Sequence, residues 1–215
     1  MMSSISADDY WSSPTTWSRG RLIVICGLDG AGKTTQIEAL GDHCRQRNLS
    51  VCLTRQPTEW YRRDPFVQSY LKNGGNLSQS YSLALFAAAD RHRHINEVIV
   101  PALSAGKIVI SDRYVFSSLA YFRIRGVADK FVEYINRGIP RPDHTFFLDV
   151  PAAVLLKRLQ ERDGNALKFE EKSEHKLNEL RSAFLSFKDL FTVIDGEQPK
   201  ETIATQIINC VSLAD

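Results

Sequence analysis

No stretch of this chain is apolar for long enough to cross a bilayer, and its opening residues, Met1 to Gly20, lack the apolar core of a secretory leader. Neither sign of charge dominates. Twenty-seven Lys and Arg stand against 25 Asp and Glu, a formal charge of +2, which argues against a nucleic-acid scaffold or a membrane surface and leaves small anions as partners for local cationic clusters. The four cysteines, Cys26, Cys44, Cys52 and Cys210, show no CxxC spacing; Cys26 and Cys52 fall inside apolar runs, where they read as small hydrophobes suited to a reducing, cytoplasmic setting. There is no internal repeat, and no Asn-Lys-x-Asp sequence of the kind that reads the base in a GTPase switch. What remains is ordinary: 215 residues, 43% hydrophobic and 24% charged, enough for one well-buried core. Residues 1–20, rich in Ser and Thr with Trp11 and Trp17, read as a flexible tail, and 21–215 as a single domain.

Against that background one run stands out. Gly27-Leu28-Asp29-Gly30-Ala31-Gly32-Lys33-Thr34-Thr35 matches the phosphate-binding loop pattern and follows the apolar run Leu22 to Cys26 directly. Its three glycines let the backbone wrap closely enough for successive N–H groups to face phosphate oxygens, and a helix carrying Ile37 and Leu40 follows with its positive N-terminus. Gly27, Asp29, Gly30, Ala31, Gly32, Lys33, Thr34 and Thr35 are therefore the expected ATP-binding residues. Lys33 is placed to reach the β- and γ-phosphates, and the Thr34 hydroxyl to ligate Mg²⁺.

Strand-like runs recur at Leu22 to Cys26, Ser50 to Thr54, Ile108 to Ser111, Thr145 to Val150 and Phe191 to Asp195, with helical patterns between them. That alternation predicts an α/β fold, a five-stranded parallel sheet flanked by helices. Polar residues sit just past several of these runs, and in open α/β sheets ligands bind at those carboxyl ends, so Thr54-Arg55, Ser111-Asp112-Arg113 and Asp149 should ring the phosphate loop. Leu83 to Leu103 reads as one long helix interrupted near Pro101, and the polar stretch Asp163 to Lys176 as a mobile segment over the site.

Asp112-Arg113-Tyr114 is the second strong signal: a carboxylate there can hold Mg²⁺ through water, and the guanidinium offers a planar fork to phosphate oxygens. The run Arg91-His92-Arg93-His94 is not a metal site, because histidines two apart diverge on a helix; a solvated basic face is expected instead. Trp60-Tyr61 reads first as packing and second as a contact to the acceptor.

Taken together, these residues resemble the thymidylate kinase family. The likeness runs from Arg21 to the C-terminus and rests on the phosphate loop, Thr54-Arg55-Gln56-Pro57, Ala89-Asp90-Arg91, Pro101-Ala102-Leu103, Asp112-Arg113-Tyr114 with Ser117-Ser118-Leu119-Ala120-Tyr121, Arg141-Pro142-Asp143 and Phe147-Leu148-Asp149-Val150. It implies the P-loop nucleoside monophosphate kinase fold with a mobile lid at about 158–176, and Mg²⁺-dependent transfer of a phosphoryl group from ATP to dTMP. It further implies that Asp29 meets the acceptor's 3′-hydroxyl, that Arg55 and Arg113 hold its phosphate, that Arg91 meets the pyrimidine, that Tyr121 crowds a ribose 2′-hydroxyl, and that Asp112 organises the metal. Ser118 joins the acceptor set, and Asp195 to Pro199 resembles the family's adenine-side loop. The partners implied are small-molecule nucleotides, with neither nucleic acid nor membrane, and a homodimer is allowed.

The transfer point needs cations, and the variable loop positions Leu28, Asp29 and Ala31 supply none. Arg158 and Arg162, four apart and hence on one helix face, are the expected lid cations, making Lys33, Asp112, Arg113, Arg158 and Arg162 the expected catalytic set. Departures from the family are visible. Gln56 replaces a Glu, Thr58 to Arg63 replaces a glycine-rich continuation, Leu167-Lys168-Phe169-Glu170 keeps a cation but loses a carboxylate, and Phe122 stands where many bacterial members carry a Gln. Phe86, the expected base-stacking aromatic, lies five residues before Arg91 rather than four, an offset of about 140° instead of about 40° on a regular helix. A π-bulge between Phe86 and Arg91 would undo that offset and is the expectation; a regular helix would instead turn Ala87 toward the pocket and leave Phe122, Trp60 or Tyr61 to supply the aromatic surface. Alternatives for the acceptor are another nucleotide or a nucleoside, and a nucleotide-binding module with little turnover is the remaining reading.

Overall fold

The computed structural model describes residues 10–12, 20–164 and 166–211. Five strands form one parallel sheet in the order β2-β3-β1-β4-β5: β1 (Arg21–Gly27), β2 (Val51–Arg55), β3 (Ile108–Asp112), β4 (His144–Asp149) and β5 (Thr192–Asp195). The three central strands each bury an apolar run, Leu22 to Cys26, Ile108 to Ile110 and Phe146 to Leu148, as a sheet covered on both faces requires, whereas Leu53 and Val193 on the outer strands are partly exposed. Parallel register brings the carboxyl ends level. Ile25 and Arg55 both pair with Asp112, and Asp149 pairs with Asp195.

Helices α1 (Lys33–Gln46), α2 (Glu59–Arg62), α3 (Pro65–Asn73), α4 (Leu77–His94), α5 (Val100–Ser104), α6 (Val115–Ile124), α7 (Asp129–Ile135), α8 (Ala152–Asp163), α9 (Glu174–Leu185) and α10 (Lys200–Val211) cover the sheet. Their starts follow local chemistry. Thr58 caps α2, Asp64 caps α3 with Pro65 at the first turn, and Asn76 closes a reciprocal capping box with Gln79 at the head of α4. α1 packs against α10, while α6 packs against α4, α7 and α9.

The long helix begins at Leu77, earlier than Leu83, and is regular through His94, which overturns the bulge expected between Phe86 and Arg91. The π-segment lies further on, at Ile95–Ile99, where the Val100 N–H donates to the Ile95 carbonyl. Pro101 accounts for its position. Lacking an N–H and crowding the carbonyl four residues back, the proline is accommodated by widening the preceding turn, so the chain continues into α5 rather than breaking.

Within the segment expected to be mobile, a 3₁₀ turn, Phe169–Glu171, precedes α9. Of residues 1–20, most lie outside the described residues. Tyr10 to Ser12 do not read as a free tail, because the Gly138 N–H donates to the Tyr10 carbonyl and the Ser12 N–H to that of Ile139, each at 2.9 Å, with the Tyr10 side chain fully buried. No helix among the described residues is long and apolar enough to cross a membrane.

Candidate active site

The phosphate loop leaves β1 and enters α1 through Gly30 at φ +83° and Gly32 at φ +91°, values a side chain would resist. α1 has no side-chain cap, so its first N–H groups face outward at the loop, with Thr34 and Thr35 exposed on the opening turn. Lys33 is buried, its Nζ donating to the Leu28 carbonyl at 2.8 Å and lying 3.6 Å from Asp29 Oδ1. Burial and the neighbouring Arg113 push the Lys33 ammonium down to about 8, against the pull of Asp29 and Asp112.

Arg113 follows β3 in a left-handed conformation, φ +68°, uncommon for a residue with a side chain. Its backbone is held on both sides, the N–H donating to the Ile25 carbonyl at 3.0 Å and the carbonyl accepting from Ser111 Oγ at 2.8 Å. The guanidinium is aimed at the phosphate loop, where Nη2 meets Asp29 Oδ1 at 2.6 Å. Asp29 also receives the Lys168 ammonium, from the segment that leads into α9. Burial opposes the Asp29 charge, but Arg113, Lys33 and Lys168 outweigh it and hold the carboxyl well below the usual carboxylate range.

Between α2, α4, α6 and the phosphate loop lies one cavity. Five cations line it, Arg62, Arg91, Arg113, Arg125 and Lys168, against a single carboxylate, Asp29. Its far end is aromatic and polar: Tyr61, Tyr121 and Phe122 form walls, and Arg91 donates to Gln56 Oε1, to Ser118 Oγ and, at 2.8 Å, to Asn136 Oδ1. Those three partners are neutral, so among the described residues no carboxylate is bonded to the buried Arg91 charge; burial lowers its pKa accordingly. A second cavity, lined by Thr34, Thr54, Arg55, Thr58, His94 and Asp112, opens beside the first.

Of the residues singled out in the sequence, Asp29, Arg91, Arg113, Ser118, Tyr121 and Phe122 line this cavity. Thr34 and Asp112 line the second cavity, and Arg55 lies there too, paired with Glu59. Arg158 reaches the loop, donating to the Gly30 carbonyl at 3.1 Å. Arg162 does not: it is exposed and turned onto Asp163. Phe86 is a correction. On the regular α4 it is not among the residues lining the cavity and packs on Trp60 and Tyr61, with ring centroids 4.4 and 5.6 Å away, while Ala87 and Arg91 line the wall. The basic run is a second correction, since Arg91 and His94 are buried; His94 bonds Gln56 and Thr54 instead of water.

Sequence reasoning passed over Arg62, Arg125 and Lys168. Arg62 carries the clearest electrostatic signature: burial, then Arg55 and Arg113, all disfavour its charge, the mark of cations gathered for an anion. Arg125 pairs with Glu170 at 2.6 Å in a buried contact that ties the segment before α9 to the end of α6. Only Lys168 left a trace in the sequence, as the cation retained before Phe169-Glu170.

A family model described as thymidylate kinase matches residues 25–207. A protein of Pyrococcus abyssi named "Probable thymidylate kinase" is 37% identical over 177 residues, covering 80% of this chain and 85% of that relative. Another so named, from Pyrococcus horikoshii, is 37% identical over 201 residues, covering 90% and 96%. A thymidylate kinase of Akkermansia muciniphila is 35% identical over 201 residues, covering 91% and 93%.

Proposed function

The chain belongs to the thymidylate kinase family, and on that premise we propose that it transfers the γ-phosphoryl group of ATP in line to the phosphate of dTMP, with Mg²⁺ as cofactor. One observation carries this reading: the cavity with five cations against one carboxylate at a phosphate loop, closed at its far end by aromatic rings and hydrogen-bond donors. A nucleoside monophosphate has that polarity, a dianion at one end and a flat base at the other.

The far end favours a base edge that accepts. Gln56, Ser118 and Asn136 already receive Arg91, so the Ser118 O–H and the remaining guanidinium N–H groups are the donors on offer. A pyrimidine carbonyl such as thymine O4 satisfies them, whereas the amino group of cytosine leaves them unpaired. Tyr61 and Phe122 supply the apolar faces for the ring.

Thr34 and Asp112 fit Mg²⁺. Asp112 Oδ1 is buried with no partner among the described residues, and a lone carboxylate with a hydroxyl is an ample protein contribution for a cation held mostly by water and substrate phosphates. The ion would neutralise phosphate charge. Arg113 and Arg62 would grip the acceptor phosphate, Lys33 would swing from the Leu28 carbonyl to the β- and γ-phosphates, and Arg158 and Lys168 would add charge where the group passes. No side chain need form a covalent bond. A cytosolic location and a homodimer complete the proposal; sedimentation reads the second.

A coupled assay of ADP release with ATP and a panel of dTMP, dUMP, dCMP, dGMP, AMP and thymidine tests it. dTMP is expected to give the highest kcat/KM; a faster rival moves the acceptor, and tight ATP binding without turnover on any of them leaves a nucleotide-binding module.

A further inference from the structure

The matched family region begins at residue 25, yet upstream of it Tyr10 and Trp11 are built into the core behind the acceptor cavity, with Ser12 bonded through its backbone beside them. Tyr10 is fully buried, and Trp11 meets it edge-on with ring centroids 5.0 Å apart before packing on Phe116. The backbone of these residues runs parallel to the segment after α7. Trp11 pairs with Ile139, the Gly138 N–H donates to the Tyr10 carbonyl, and the Ser12 N–H donates to the Ile139 carbonyl.

What that segment holds is the point. Asn136, two residues before Gly138, accepts from Arg91 Nε at 2.8 Å and is itself fixed by donating to the Val132 carbonyl at 2.7 Å. Pro140, one residue after Ile139, accepts from the Tyr114 hydroxyl at 3.0 Å. Arg91 lies over the Tyr114 ring, its guanidinium carbon 5.8 Å from the centroid, and both residues line the acceptor cavity. Two wall residues are thus tied to residues 136–140, and residues 10–12 tie that segment down. The Tyr10 phenol also lies near enough to Arg91 for each to act on the other electrostatically.

We propose that Tyr10, Trp11 and Ser12 are positioning residues for the acceptor base, a brace from outside the family's own region that fixes Arg91 and Tyr114 through residues 136–140. The brace touches neither reactant. Its effect must pass through the base end of the cavity and spare the phosphate loop, which is anchored separately on β1 and α1. The Tyr10 hydroxyl has no hydrogen-bond partner among the described residues, so ring packing and backbone pairing do the positioning and the oxygen is dispensable.

This rests on the dTMP kinase reading, and the test keeps the two apart. Full-length Tyr10→Ala, Trp11→Ala, Ser12→Pro and Tyr10→Phe are compared with the parent by steady-state kinetics in both substrates, by dTMP binding calorimetry and by near-ultraviolet circular dichroism. Ser12→Pro removes one N–H and no core volume, so it decides the matter where an alanine variant fails to fold. In Ser12→Pro and in each folded alanine variant the KM and Kd for dTMP are expected to rise about tenfold, with kcat and the KM for ATP within about twofold of the parent, and Tyr10→Phe should match the parent. A folded Ser12→Pro with parental dTMP affinity, or with equal losses toward ATP and dTMP, overturns the brace. If the parent neither binds nor phosphorylates dTMP, the kinase reading fails first. The brace is then judged by the same variants on whichever nucleotide of the panel the parent binds, and parental affinity there overturns it as well.

Discussion

Arg113 and Asp29 hold one another: the arginine's Nη2 lies 2.6 Å from Asp29 Oδ1, joining the end of β3 to the middle of the phosphate loop. Burial disfavours the charge on each, yet both stay ionised. Tyr121, Asp29 and Asp112 more than offset burial at Arg113, and Arg113, Lys33 and Lys168 do so at Asp29. An acceptor phosphate arriving in the cavity must therefore share Arg113 with a carboxylate already in place, while a sugar hydroxyl finds in Asp29 an acceptor kept deprotonated.

Replacing Arg113 should hurt the acceptor more than ATP. For Arg113→Ala, kcat/KM toward dTMP is expected to fall by about 10² or more, with the ATP KM changed only a few-fold, since the side chain faces the acceptor cavity. Bisubstrate kinetics check this, and equal losses for both substrates would contradict the role.

Lys33 should make ATP binding depend on pH. Its pKa is pushed down to about 8 by burial and by Arg113, whereas bound phosphates would restore the charge. Above pH about 8 the free protein carries a neutral Lys33, so binding takes up a proton and the Kd for ATP rises with pH, by up to about tenfold per unit; below that value this group contributes no dependence. Calorimetry in two buffers of different ionisation enthalpy detects the proton. Lys33→Met should lose the dependence and lower kcat by about 10² or more with the fold intact. A flat ATP affinity from pH 7 to 9.5 in the parent sinks the argument.

The lid cations should rank by what they touch. Lys168 contacts Asp29 and Arg158 reaches the Gly30 carbonyl, whereas Arg162 is held by Asp163 at the surface. Lys168→Met and Arg158→Ala are each expected to lower kcat by about 10² with modest change in KM, and Arg162→Ala by less than about threefold. Single-turnover measurements decide it; the reverse order would mean that the lid rearranges so that Arg162 takes over at the transfer point.

Tyr61 should act as the acceptor's aromatic wall. Buttressed by Phe86, it lines the cavity where the small Ala87 leaves room. Tyr61→Ala should raise the dTMP KM about tenfold, and Tyr61→Phe should leave it nearly unchanged because the ring face carries the contact. Ala87→Phe should also weaken dTMP, by pushing a second ring into space Tyr61 already borders. Unchanged affinity in Tyr61→Ala removes the ring from the site.

By itself the sequence determined what depends on short-range pattern. The phosphate loop is a nine-residue motif, the strands are short apolar runs and the polar residues follow them directly, so the five-stranded parallel sheet was legible without coordinates and Lys33, Thr34, Asp112 and Arg113 could be singled out as candidates. Tertiary structure decided the rest, because it turned on which of several similar side chains faces inward. Arg162 is followed in the sequence by Asp163, which holds it at the surface, but only the fold shows that Arg158 reaches the Gly30 carbonyl and that Arg62, unlike Arg55, lines the cavity with Arg113. Phe86 and Arg91 could not be placed until the helix register was known, and that register slipped at Ile95–Ile99, next to Pro101, rather than where function invited it. Tyr10 was illegible for the same reason. A buried aromatic in a Ser-rich opening becomes meaningful only when residues 136–140, more than a hundred positions away, run alongside it and carry its constraint to Arg91.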